Sequence, residues 1–410
     1  MTLGIKNGII RLISIGERMK MRVYLDNNAT TKMDKEALEA MLPYFSEIYG
    51  NASSMHSFGN ESKKAMVEAR KTIADIFGIE TDELIFTGSG SESDNLAIRG
   101  VAKAYRKRGN HIITSAVEHP AVRNTCRELE KEGYEVTYVS VDENGVIKLD
   151  ELKKAIKKET ILITVMHGNN EVGSIQPVEE IGKLAKENRI VFHVDAVQTV
   201  GKLDIKPKEM GIDLLTFSGH KFYGPKGIGG LFIKAGTRLG KVLTGGGQEK
   251  KLRPGTSDVP GMVGMAKALE VAHRNIEEEF KREEELRDYF ESELLKRVPE
   301  IQINAKGAKR LPGTSSITFK YLEGESILLT LNFKGIAVSS GSACSSDDLQ
   351  ASHVLLAMGI PVEIAHGTIR FSFGKYNTRE EVDYVLQELP PIVEKLRMIS
   401  PLWNEFKAGK

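Results

Sequence analysis

Three residues of this chain pair a reactive side chain with a setting in which it could react: Lys221, Asp195 and Cys344. Lys221 stands in "TFSGHKFYGPKGIGG" (residues 216–230), just past a β-rich run, with Ser218, Gly219 and His220 before it and Gly224 and Pro225 after it. A lysine at the end of a strand, held by glycines and flanked by hydroxyl and imidazole donors, suits a Schiff base to a phosphate-bearing aldehyde, with Ser218 and His220 donating to the phosphate. The plain alternative is a surface lysine. Asp195 ends the apolar run of "VFHVDAVQTVGK". A carboxylate there is either a helix N-cap or the partner that keeps a pyridinium nitrogen protonated. Gln198, three residues on, is either a polar loop residue or a donor to the ring's phenolate oxygen. His193 shares a strand face with Asp195 through the period of two and reads as its support.

Cys344 sits in "SSGSACSSDD" (residues 339–348), between the strand-like "GIAV" and the helical "SHVLLAMG". Turn-forming, solvated neighbours make it a loop cysteine, unlike the small buried hydrophobe that cysteine usually is. Cys126, in the helical "NTCRELEKEG", reads as a packing residue.

Further polar clusters follow other strands. "FTGSGSESDNLAIRG" opens a helix, so Gly90, Ser91 and the neighbouring N–H groups could hold a phosphate. It fits neither the dinucleotide glycine pattern nor the P-loop. His119 of "SAVEHPAVRN" could stack on a planar cofactor or be structural, and Asn169 and Asn170 of "MHGNNEVGSIQP" are donors or turn formers.

The elements that must position these groups are legible from about Glu83. The β-rich runs "ELIFTG", "HIITSA", "EVTYVSV", "TILITVMH", "IVFHVD", "LLTFSG" and "GGLFIK" alternate with helical stretches. Such alternation predicts an α/β fold, a mostly parallel seven-stranded sheet with helices on both faces, with ligands beyond the carboxyl ends of the strands. Residues 262–296 read as one long charge-dense helix joining a large domain to a smaller α+β domain with strands "SSITFKY", "IAVSSG" and "TIRFSFG". The expected division is an extension over 1–20, a large domain over 31–265, and a small domain built from 21–30 and 266–410.

Composition narrows the function classes. Over 410 residues, 57 Lys+Arg nearly cancel 56 Asp+Glu, so no charge surplus argues for nucleic acid. No apolar run reaches the ~20 residues of a membrane helix. Two cysteines without Cys/His clustering make neither a disulfide framework nor a metal site, which fits a cytoplasmic protein.

Taken together, "YLDNNATT", "SESDNLAI", "EHPAV", "NNEVGSIQ", "HVDAVQTVGK", "SGHKFYGPKGIG", "GGGQE", "RPGT", "SSGSACSS" and "IRFSFG" resemble, in order, the cysteine desulfurases of the NifS/IscS type, fold-type I pyridoxal phosphate enzymes of the class V aminotransferase group. The resemblance implies that Lys221 carries pyridoxal 5'-phosphate as a Schiff base and acts as the base on the substrate. It implies that Asp195 pairs with the pyridinium, His119 stacks on the ring and Gln198 meets its phenolate oxygen. Phosphate contacts would come from Gly90, Ser91, Ser218 and His220, with Thr256 of "RPGT" reaching in from the second subunit of a homodimer. Asn170 and Arg370 would hold the carboxylate of L-cysteine, and Asn170 would also touch the cofactor. Cys344 would take the sulfur as a persulfide and pass it to an iron–sulfur scaffold protein or another acceptor. The protein alone would bind no metal, though Cys344 could contribute to a transferred cluster. Pro254 departs from the serine of the family's "RSGT" motif. Two alternatives stand beside this reading: a pyridoxal enzyme of the same group that acts on selenocysteine or transaminates another amino acid, with Cys344 incidental, and a non-enzymatic sulfur carrier or scaffold on the same fold, colourless and with no need of Lys221 or Asp195.

Overall fold

The computed structural model describes residues 21–340 and 351–409. The chain opens with β1 (Val23–Tyr24) and then builds one large sheet from β2 (Leu84–Thr87), β3 (His111–Ser115), β4 (Glu135–Val139), β5 (Thr160–Met166), β6 (Val191–Asp195), β7 (Leu214–Ser218) and β8 (Gly229–Ile233). These are the seven β-rich runs expected from the sequence. Their order is β2-β8-β7-β6-β5-β3-β4. All neighbours are parallel except at β8, which runs against both β2 and β7. Ten residues separate β7 from β8, too few for a crossover helix, so the chain turns back antiparallel.

Strands β5, β6 and β7 are buried along their whole length, as a parallel sheet covered on both faces requires. One face packs against Ile73, Phe77, Phe192, Phe217 and Met265, the other against Leu96, Val101, Val122, Cys126 and Leu129. Cys126 is wholly buried, and burial pushes its thiol far above the ordinary range. It is a packing residue.

The later strands, β9 (Ile301–Ile303), β10 (Thr314–Phe319), β12 (Ser339–Ser340) and β13 (Thr368–Ser372), form an antiparallel sheet in the order β12-β13-β10-β9. Between them, β11 (Ile336–Ala337) pairs in parallel with β1, so the N-terminal strand joins the C-terminal part of the chain. A second core, with Val23, Leu25, Phe290, Leu294, Phe319, Phe371 and Leu386, lies there.

The expected single helix over 262–296 is two, Val259–Arg274 and Ile276–Arg297, broken at Asn275 with φ −129° and ψ 32°. The first half buries Met262, Met265 and Leu269 in the large-sheet core; the second buries Leu286, Phe290 and Leu294 in the other. One straight rod does not serve both. The break falls at an asparagine, whose side chain competes with helical hydrogen bonding. Among the described residues no helix is long and apolar enough to cross a membrane.

Candidate active site

A cavity of about 440 Å³ opens at the carboxyl ends of the parallel strands. The chain leaves each strand there through a polar turn, because strand ends and helix starts carry backbone groups that need partners. The β2 turn and the helix Gly90–Tyr105 bring Gly90 and Ser91, and the turns after β3 and β5 bring His119 and Asn170. β6 and the turn after it supply Asp195 and Gln198, while β7 and its turn supply Ser218, His220 and Lys221. Arg370 arrives from β13 of the other core, with Asp26 and Asn28 from the segment after β1. Thr256 is exposed and does not line this cavity. Cys344 lies outside the described residues, while Ser339 and Ser340, which precede it, line the cavity.

Lys221 donates to the main-chain carbonyls of Asn28 at 2.5 Å and Ala29 at 2.9 Å. Burial, then the nearby charges of Arg370 and Lys202, pull its ammonium down to about 7. A neutral, nucleophilic amine is therefore available near neutral pH. Asp195, 5% exposed, accepts from Val197 N–H at 3.0 Å. Burial raises its carboxyl, while His119 and Lys221 oppose the shift.

Two more buried carboxyls, Asp94 and Glu118, each 1% exposed, feel the charge of Asp195. Glu118 is pushed up to about 8, by burial first; it accepts from Ser115 Oγ at 2.5 Å and Met166 N–H at 3.1 Å. Asp94 is also raised well above the ordinary carboxylate range, by burial and by the charge of Asp195. His193 hydrogen-bonds Thr164 at 2.8 Å and Thr216 at 3.0 Å, and burial holds it at about 3. It is a neutral strut under the site, the role read from its strand face.

His119 caps the helix Pro120–Lys131, its Nδ1 accepting from Ala121 N–H at 3.1 Å, so its neutral form carries the proton on Nε2. Gln198 spends its Nε2 on the Asn28 carbonyl at 2.9 Å and leaves Oε1 buried without a partner. The donor role expected for Gln198 falls to the second hydrogen of that amide. Arg370 donates from Nη2 to Asp26 at 2.8 Å and from Nη1 to the Asn170 carbonyl at 2.9 Å, with Nε unpartnered. Asn169 faces inward and organises its turn by accepting from Glu171 and Val172 N–H, which leaves Asn170 to the cavity.

These residues fit pyridoxal phosphate. A Cβ at Gly90 would come within 2.7 Å of Val197 and 3.4 Å of Ser218, so the residue at this helix start has to be glycine. The orphaned Oε1 of Gln198 and Nε of Arg370 each need a polar group that the described residues do not supply. Asp195, with its proton affinity raised, would regain its charge against a cationic ring nitrogen.

Asp26, Asn28, Asp94 and Glu118 carried no individual reading from the sequence. All four stand inside motifs already singled out, "YLDNNATT", "SESDNLAI" and "EHPAV", so their place in those motifs was the available signal.

The model of the class-V aminotransferases matches residues 23–385. The chain is 51% identical over 392 residues to the cysteine desulfurase IscS of Dictyoglomus turgidum, covering 96% of this chain and all of that one. It is 52% identical over 380 residues to that of Methanosarcina thermophila, covering 93% and 94%. Among solved structures, a NifS-like protein superposes with a TM-score of 0.86 at 41% identity, covering 92% of this chain and all of that one. SspA in complex with cysteine superposes at 0.76 and 36%, covering 87% of this chain and all of that one. The chain belongs to the class-V aminotransferase family, whose cysteine desulfurases use pyridoxal phosphate. Within that family it is a cysteine desulfurase.

Proposed function

We propose that the cavity around Lys221 is where this desulfurase takes sulfur from L-cysteine, releasing L-alanine and leaving the sulfur as a persulfide on Cys344. The observation that carries the reading is the convergence of a lysine held near neutrality with a buried carboxylate, Asp195, in one cavity. Pyridoxal phosphate, bound through Lys221, supplies the electron sink that loosens bonds to the substrate's α-carbon.

The chain's own residues do the rest. Asp195 anchors the ring nitrogen, His119 covers the ring, and Gly90, Ser91, Ser218 and His220 hold the phosphate with Thr256 of a second subunit. Arg370 and Asn170 receive the substrate carboxylate, the guanidinium exchanging its bond to Asp26 for a paired contact. Lys221, released as a neutral amine, takes the α-proton and returns it. The thiolate of Cys344 attacks the substrate sulfur; the new S–S bond forms as the C–S bond breaks, and its electron pair, with a proton, stays with the carbon fragment that leaves as alanine.

The same reading makes the protein a cytoplasmic homodimer that hands sulfur to an iron–sulfur scaffold protein or another acceptor. Residues 31–265 form its large domain, and 21–30 with 266–410 the small one. Its support is the two separate cores and the arrival of Arg370 and Asp26 from the second. Borohydride reduction followed by peptide mapping tests the assignment. A pyridoxyl group on Lys221 is expected, and label on another lysine overturns it.

A further inference from the structure

A second cavity, of about 170 Å³, lies behind Lys202, where the break at Asn275 separates the two halves of the former helix. Its lining includes the apolar Ala268, Val271, Ala272 and Phe280 together with the charged Lys202 and Glu283. Most polar groups at its wall are already paired. Asp34 binds Lys375 at 2.7 Å, and Arg274 is held by Glu36 and Glu270. Glu283 is different: it is 5% exposed, its Oε1 has only a long 3.5 Å contact from Tyr223 Oη, and its Oε2 has no partner among the described residues.

Lys202 and Glu283 feel each other's charge across this space, yet they form no ion pair among the described residues. Burial lifts Glu283 to about 7 and lowers Lys202. Each charge is thus short of the opposite charge that a buried ion requires. A lone anion would satisfy Lys202 and repel Glu283, and a lone cation would do the reverse. A ligand bearing both charges on neighbouring atoms, with a small apolar group toward Ala272 and Val271, satisfies both. At the ~30 Å³ that a liquid water takes, the cavity holds about six non-hydrogen atoms, the size of alanine.

We propose that this cavity is a second binding site for a small zwitterionic α-amino acid, its carboxylate on Lys202 and its ammonium on Glu283. Lys202 also bears electrostatically on Lys221 and Arg370. An anion placed on Lys202 is therefore felt in the active site, so occupancy couples to catalysis.

The test uses holoenzyme whose cofactor has been fixed by borohydride, so that an amino acid cannot condense with it, in an Arg370→Ala background that removes the first site's carboxylate contact; the pyridoxyl absorbance reports the cofactor separately from the second site. Titration calorimetry with L-alanine at pH 8, where Glu283 is ionised, is expected to show one saturable site per chain. Acetate and methylamine at the same concentration are expected to give none. Glu283→Gln and Lys202→Met should each weaken L-alanine by about tenfold or more, the loss of a charge-assisted contact. Ala272→Leu, which fills the cavity without touching a charge, should abolish binding. Absence of saturable binding up to about 10 mM, equal binding of acetate, or affinity unchanged in Ala272→Leu and Glu283→Gln would each overturn the site.

Discussion

The Nζ of Lys221 donates to the carbonyl of Asn28 at 2.5 Å, across 193 positions of sequence, and the same carbonyl accepts from Gln198 at 2.9 Å. One main-chain oxygen from the segment after β1 thus fixes two side chains from two adjacent strand ends of the large sheet. That segment is tied to β13 by the bridge between Asp26 and Ser372, so the placement of the lysine depends on the second core.

The first prediction concerns that lysine. An ordinary ammonium loses its proton near ~10.4. Lys221 does so at about 7, so the amine fraction, and with it the rate at which apoprotein captures pyridoxal phosphate, should rise through pH 7 and level off above it. Stopped-flow absorbance across pH 6–10 reads the inflection. An inflection near 10 would show that the amine is not held near neutrality.

Asp195→Asn keeps the shape of the group and removes its charge. The cofactor should remain bound and turnover should fall at least about 100-fold, as expected when charge stabilisation at a reacting centre is lost. Visible absorbance and alanine release, measured on one sample, separate the two effects; full turnover would assign the ring nitrogen another partner.

Glu118 makes a stability prediction. Its folded-state carboxyl titrates at about 8, above the ordinary ~4.3, so between those values the native state holds a proton that the unfolded chain has lost. Stability therefore declines as pH rises through this window, by at most about 1.4 kcal/mol per unit. Glu118→Gln removes that slope while keeping an acceptor for Ser115 and Met166. Urea unfolding at pH 5 and pH 8 should show the parent losing stability relative to the variant; parallel curves would place the proton elsewhere.

Thr256 is exposed on the single chain. If it completes a partner's site, mixing Lys221→Ala protein with Thr256→Ala protein should restore part of the activity in hybrid dimers. Hybrids verified by native mass that stay inactive would confine Thr256 to its own chain's site.

The two cysteines should separate cleanly. Cys344→Ser should bind cofactor and cysteine yet carry no extra sulfur after a single turnover. Cys126→Ala should keep activity and lose only about 1 kcal/mol of stability, the cost of a small buried cavity. Peptide mass after turnover decides, and sulfur on Cys126 would reverse the assignment.

The sequence by itself determined the seven strands of the large sheet, because buried parallel strands are written as short apolar β-branched runs and each ends in a polar turn where a ligand must sit. It also determined which residue types stood at those turns: the lysine of "SGHK", the aspartate of "HVDA" and the glycine of "GSGSES". Periodicity is a local property, and these signals are local. Tertiary structure decided what depends on distant segments meeting. It broke the helix at Asn275 because its halves answer to different cores, paired Arg370 with Asp26, turned the Gln198 amide toward Asn28, and buried Asp94 and Glu118 within electrostatic reach of Asp195. Proton affinities belong to that second class. A lysine near 7 and a glutamate near 8 arise from burial and from charges brought close by folding, neither of which is a property of the residues next to them in the chain.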